Sequence, residues 1–123
     1  MITVGQKDKT ILIVEDEALI RVELVDYFED EGYRVFEAES ADQAIAVLEH
    51  HKSVRVVLTD VHMPGTMDGL RLAHYVRDRY PPTILVLTSG AALLSPTDLP
   101  ADSFFVPKPF DVGMIMRKIE QMF

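Results

Sequence analysis

The chain contains no cysteine, which excludes disulfides, thiolate metal sites and cysteine nucleophiles. It also lacks a basic excess. Twelve Lys and Arg against 20 Asp and Glu give a net charge of −8, the wrong sign for a general binder of nucleic acid or anionic membranes. No run approaches the roughly 18 apolar residues of a membrane span, and the first nine residues have no long apolar core. The expectation is a soluble, cytoplasmic protein without direct contact to DNA or membrane. Repeats and low-complexity stretches are absent too. What is present is enough for one folded unit: 123 residues, 48% hydrophobic and 26% charged, well above the size of about 40 residues below which metals or disulfides become necessary.

Short apolar runs alternate five times with amphipathic stretches. Thr10 to Val14 reads as a strand, followed by a helix with Ala18, Val22, Val25 and Phe28 spaced three or four apart and Gly32 as its stop. Tyr33 to Ala38 is a second strand. Ser40 with Gln43 forms a capping box for a helix that turns Ala41, Ala44, Ile45 and Leu48 inward and ends near His50. Val54 to Thr59, rich in valine, delivers the chain to Asp60. After a turn-rich loop, Asp68 caps a helix carrying Leu72, Ala73, Val76 and Tyr80, and Pro81 and Pro82 end it. Thr83 to Thr88 and Phe104 to Val106 are strands four and five. Asp111 caps a last helix with Val112, Ile115, Met116 and Ile119 in one stripe. This alternation predicts an α/β fold, a mostly parallel sheet with helices on both faces.

Ligands of such folds sit at the carboxyl ends of the strands. That rule selects Glu15, Asp16, Asp60, Ser89 and Lys108. Carboxylates converging there repel, by about 4 kcal/mol per pair at about 4 Å and an effective dielectric of about 20. A hard divalent cation offsets this, and magnesium suits a site with few carboxylates, retained waters and room for a phosphate oxygen. Glu15 and Asp16 would hold the metal, Asp60 would offer one oxygen to it and the other to phosphorus, and Lys108 and Ser89 would meet the phosphoryl oxygens.

The stretches Ile-Leu-Ile-Val-Glu-Asp-Glu (11 to 17), Leu-Thr-Asp-Val-His-Met-Pro-Gly (58 to 65), Thr-Ser-Gly (88 to 90) and Val-Pro-Lys-Pro-Phe (106 to 110) together resemble the receiver domain of response regulators in bacterial two-component systems. The likeness runs over nearly the whole chain. It implies a doubly wound five-stranded sheet in the flavodoxin-like order 2-1-3-4-5, with residues 1–9 a leader and 10–123 the receiver domain, of stand-alone type. By the same resemblance Asp60 is the phosphoacceptor, Glu15 and Asp16 the acid pair, Ser89 the switch hydroxyl, Lys108 the lysine and Phe105 the switch aromatic. Mg2+, replaceable by Mn2+, takes a further contact from the His62 backbone carbonyl, and the Lys108–Pro109 bond is cis. The implied partners are a histidine kinase or histidine phosphotransfer protein, a downstream protein target, and a second copy in a homodimer. The implied role is a phosphorelay switch that catalyses its own aspartyl phosphorylation and dephosphorylation, rather than an enzyme with an external substrate.

Two features depart from the family pattern. The loop after Asp60 is one residue longer than its commonest form, which leaves Thr88 as the alternative to Ser89. Ser89 is preferred because the small Gly90 follows it. Pro96 and Pro100 interrupt the segment where the family fits a full helix between strands four and five, so that helix, which usually helps form a dimer face, is expected to be short or irregular.

Other functions of this architecture fit less well. A flavin-binding electron carrier needs a glycine- and hydroxyl-rich phosphate loop after strand one, where this chain has Val-Glu-Asp-Glu-Ala-Leu. An aspartyl phosphatase would use a second acid at His62. A pseudo-receiver has no need of a filled acidic pocket. His50, His51, His62 and His74 have no ligand spacing and read as surface residues, and Arg71, Arg77 and Arg79 read as a solvated basic face.

Overall fold

The computed structural model describes residues 9–63, 67–90 and 95–123. Among the described residues nine strands and α-helices follow in the expected order: β1 (Thr10–Val14), α1 (Ala18–Asp30), β2 (Arg34–Ala38), α2 (Ala41–His50), β3 (Val56–Asp60), α3 (Gly69–Arg79), β4 (Ile84–Ser89), β5 (Ser103–Pro107) and α4 (Val112–Gln121). All pairings are parallel and the strand order is β2-β1-β3-β4-β5. The chain winds outward to β2 from β1 and to β4 and β5 from β3. Its crevice therefore opens between the carboxyl ends of β1 and β3.

The three inner strands β1, β3 and β4 are buried along their whole length, which is why they read as unbroken apolar runs rather than alternating ones. Successive residues nevertheless serve opposite faces. Leu12, Val14, Val57, Leu85 and Leu87 pack with Ala41, Ala44 and Leu48 of α2 and Leu72, Ala73 and Val76 of α3. On the other face Ile11, Ile13, Val56, Leu58, Ile84 and Val86 pack with Leu24 and Phe28 of α1 and Ile115 and Ile119 of α4.

The helix starts follow local chemistry. Ser40 Oγ accepts from the Gln43 amide, Asp68 Oδ1 from the Arg71 amide and Asp111 Oδ1 from the Gly113 amide. The Gln43 side chain reaches back to the Glu39 amide, one residue upstream of the usual capping-box partner. Gly32 adopts φ +90° after α1, and its amide bonds the Glu29 carbonyl.

Three readings of the sequence are corrected. The inward face of α1 is set by Leu24 and Phe28, with Ile20 and Val25 partly covered. Ala18 and Val22 face solvent, and Leu19 is 87% exposed. Ile20, Leu24 and Phe28 also recur at helical spacing and are bulkier, so the phase that buries them wins. His51 is half-buried, its ring stacked 4.1 Å from that of Phe36. Arg77 is not merely solvated. Its guanidinium donates to the carbonyls of Ala101 at 2.7 Å, Asp102 at 3.2 Å and Pro81, while His74 Nε2 meets the Asp98 carbonyl at 2.8 Å.

Those carbonyls belong largely to the β4–β5 connection. Among its described residues the only helical piece is a single 3-10 turn, Pro96–Asp98, in keeping with the proline-broken sequence. Residues 91–94 of that connection, 64–66 of the loop after Asp60, and residues 1–8 of the expected leader lie outside the described residues. Polar side chains of α3 thus satisfy backbone carbonyls of this connection.

Candidate functional site

Each candidate acid owes its place to a strand end. β1 finishes at Val14, so Glu15 and Asp16 fall on the first turn beyond it, and Asp60 is the last residue of β3, the neighbouring strand. Carboxylate oxygens of Glu15, Asp16 and Asp60 lie within 4.8 Å of one another. Glu15 and Asp60 are buried, whereas Asp16 is exposed. β5 brings in Lys108, whose Nζ bridges Glu15 Oε1 at 2.9 Å and Asp60 Oδ2 at 3.3 Å. The Lys108–Pro109 bond is cis. The Lys108 amide donates to the Ser89 carbonyl at 2.9 Å, tying the ends of β4 and β5.

Ser89 and Thr88 are both buried at the end of β4. Alternation along the strand puts Ser89 on the face of Leu87 and Thr88 on that of Val86. Phe105, half-buried on β5, packs with the Leu87 face and pairs with Leu87 in register. The His62 amide approaches Asp60 Oδ1 at 3.4 Å, and the imidazole itself is exposed.

Two shifts follow from this crowding. Burial pushes the Glu15 carboxyl above the usual glutamate range, Lys108 and the Glu17 amide pull it back, and the charge of Asp60 pushes it up again. Burial works against the Lys108 charge, but the bond to Glu15 and the attraction of Asp60 outweigh it and hold the ammonium pKa high. A raised carboxyl pKa means that ionised Glu15 costs stability. The favourable contribution is present below the ordinary value of 4.5 and is lost as pH rises through the folded-state value. Glu15→Gln is accordingly expected to melt above the wild type at pH 7 in chelator while gaining less from added Mg2+, as thermal denaturation with and without the metal will register.

The donor set suits a hard cation: three carboxylates, with no imidazole or sulfur among them. Its shape depends on a residue that the sequence reading passed over. Gly69, the first residue of α3, donates its amide to the Val61 carbonyl at 2.9 Å, and a Cβ there would sit 1.7 Å from the carbonyl oxygen of Asp60. The readable signal was the Asp-Gly pair after a turn-rich loop, but what it approached lay in another element.

A family model of the response regulator receiver domain matches residues 11–120, and the chain belongs to that family. It is 35% identical over 117 residues to the sensor kinase CckA of Brucella abortus (strain 2308), covering 92% of this chain and 12% of the kinase. The chain spans about half the length of other curated relatives it matches. Among solved structures it is similar to a response regulator receiver protein from Sinorhizobium medicae WSM419, with 28% identity, a TM-score of 0.85 and 92% of each chain covered. It is also similar to the response regulator protein TrrA from Thermotoga maritima, solved in complex with Mg(2+)-BeF, with 26% identity, a TM-score of 0.79, and 94% of this chain and 99% of that one covered.

Proposed function

We propose that residues 10–123 act as a phosphoryl-accepting receiver switch in a phosphorelay, with Asp60 as the acceptor. The observation that carries this reading is the convergence of Glu15, Asp16 and Asp60 on one sheet edge with Lys108 bridging two of them. Glu15, Asp16, Asp60 and the backbone carbonyl of His62 would hold Mg2+, or Mn2+ in its place, which when bound supplies positive charge opposite the phosphoryl oxygens. An Asp60 carboxylate oxygen attacks the phosphorus of a phosphohistidine on a histidine kinase or histidine phosphotransfer protein. The P–O bond forms as the P–N bond breaks, and its electron pair returns to the imidazole. Lys108 leaves its carboxylate partners to pair with the transferred group, and the Ser89 hydroxyl donates to another of its oxygens.

That second contact moves Ser89, and Phe105 lies on the same sheet face close behind it. Phosphorylation would therefore act by shifting the population between two positions of this pair. The surface so altered would lie at β4, β5 and the connection between them, and it would engage a downstream protein or a second copy in the cytoplasm. Hydrolysis of the acylphosphate would reset the switch, so the domain would catalyse both the gain and the loss of its own phosphoryl group.

Beryllium fluoride, a mimic of the phosphoryl group, tests the reading without a kinase. With Mg2+ it should raise the melting temperature saturably in the wild type and leave Asp60→Asn unmoved. Equal shifts in both proteins would refute the assignment of Asp60.

A further inference from the structure

We propose that Arg21 is a positioning residue for the cation site, fixing the peptide plane between Glu15 and Asp16. The inference rests on the reading that these acids hold Mg2+.

Arg21 lies in the first turn of α1 and is only 11% exposed. Its three guanidinium nitrogens each have a different partner. Nη1 donates to the Glu15 backbone carbonyl at 2.8 Å, Nε to Glu37 Oε1 at 3.0 Å and Nη2 to Glu39 Oε1 at 3.2 Å. The carbonyl it reaches is the oxygen of the Glu15–Asp16 peptide bond. The other side of Glu15 is already held, since its amide donates to the Ala38 carbonyl at 3.0 Å. With both backbone groups of Glu15 engaged, rotation of the peptide that sets Asp16 relative to Glu15 is blocked. The two carboxylates are thereby aimed at Asp60 by contacts that are not themselves part of the acid cluster.

The surroundings suit this task. A bare guanidinium beside a cation site would weaken metal binding by repulsion. Glu37 and Glu39, both more than half exposed, pair with it at the end of β2 and beyond, and they offset its charge while anchoring its fork. A lysine could keep the charge but could not send donors along three fixed directions from separate nitrogens.

Charge and position predict opposite results, which makes the proposal testable. Removing a cation beside the site tightens Mg2+ binding on Coulombic grounds alone, whereas releasing the peptide weakens it. Groups that orient metal ligands typically contribute about tenfold or more in affinity. The experiment is calorimetric titration of the full chain with MgCl2 for the wild type, Asp16→Asn, Arg21→Met and Arg21→Lys, each well below its melting temperature. A parallel amide NMR spectrum of the metal-free proteins reports the Asp16 signal.

The expected result is that Asp16→Asn abolishes binding and that both Arg21 variants bind about tenfold more weakly, with the Asp16 amide displaced before metal is added. Arg21→Lys, which preserves charge and stem, decides the matter should Arg21→Met not fold. Unchanged or tighter binding in the folded Arg21 variants would overturn the inference while leaving the proposed function intact. Wild-type binding that is absent, or indifferent to Asp16→Asn, would bring down the underlying reading and this inference with it.

Discussion

Gly69→Ala is expected to lower stability by roughly 3 kcal/mol, about 10 °C in melting temperature for a chain of this length. Local propensity predicts the opposite sign, since alanine is favoured over glycine in a helix by up to about 1 kcal/mol. Packing decides the outcome. The added carbon would lie 1.7 Å from the Asp60 carbonyl oxygen and 2.9 Å from Val61 Cα, all of it backbone, so no side chain can swing aside. Either the first turn of α3 lifts away from β3 or the Asp60 peptide shifts. In the second case the Asp60 carboxylate moves with it, and the phosphoryl uptake proposed for that residue should fall even where the variant remains folded. Gly32 supplies the contrast. Its positive φ is the only obstacle to a side chain, with nothing within 4 Å, so Gly32→Ala costs about 1 kcal/mol. Thermal and urea denaturation of the two variants will separate a steric glycine from a conformational one.

Lys108→Met should lose about 3 kcal/mol in chelator and recover most of it in millimolar Mg2+. The ammonium is the cation bridging Glu15 and Asp60, the two buried members of the acid trio. Removing one partner of such a pair leaves uncompensated buried charge, at a cost of about 3–5 kcal/mol. Protonation of Glu15, already displaced upward, caps the loss near the lower end, because the group neutralises rather than bear the full repulsion. A bound divalent cation removes the same repulsion. The Mg2+-induced rise in melting temperature should therefore be larger in Lys108→Met than in the wild type. Equal rises would mean that the lysine and the metal do not share these carboxylates.

Much of this was legible in the amino-acid sequence because the physics was local. Inner strands buried on two faces had to be continuous apolar runs, and Ser40, Asp68 and Asp111 announced their helices by the bonds they make. The acids were legible for a topological reason: in a doubly wound sheet, residues just past β1 and β3 meet whatever lies between them in sequence. The less legible parts depended on contacts between distant elements. Arg77 looked like one of three solvated arginines, and its partners became visible only when the β4–β5 connection was laid against α3. Gly69 carried no mark of the carbonyl it nearly touches. The phase of α1 is not legible from spacing alone, because apolar residues on more than one side of that helix fit two stripes, and the sheet beneath it selects the bulkier one with Leu24 and Phe28.

The most direct test of Asp60 as acceptor is intact-mass and peptide mass spectrometry after incubation with acetyl phosphate. In Mg2+ one phosphoryl group should be added, on the peptide containing Asp60, removable by hydroxylamine as an acylphosphate is, and absent with chelator or in Asp60→Asn. Labelling of Asp60→Asn to the same extent, or a hydroxylamine-stable phosphoryl group at another residue, would contradict it.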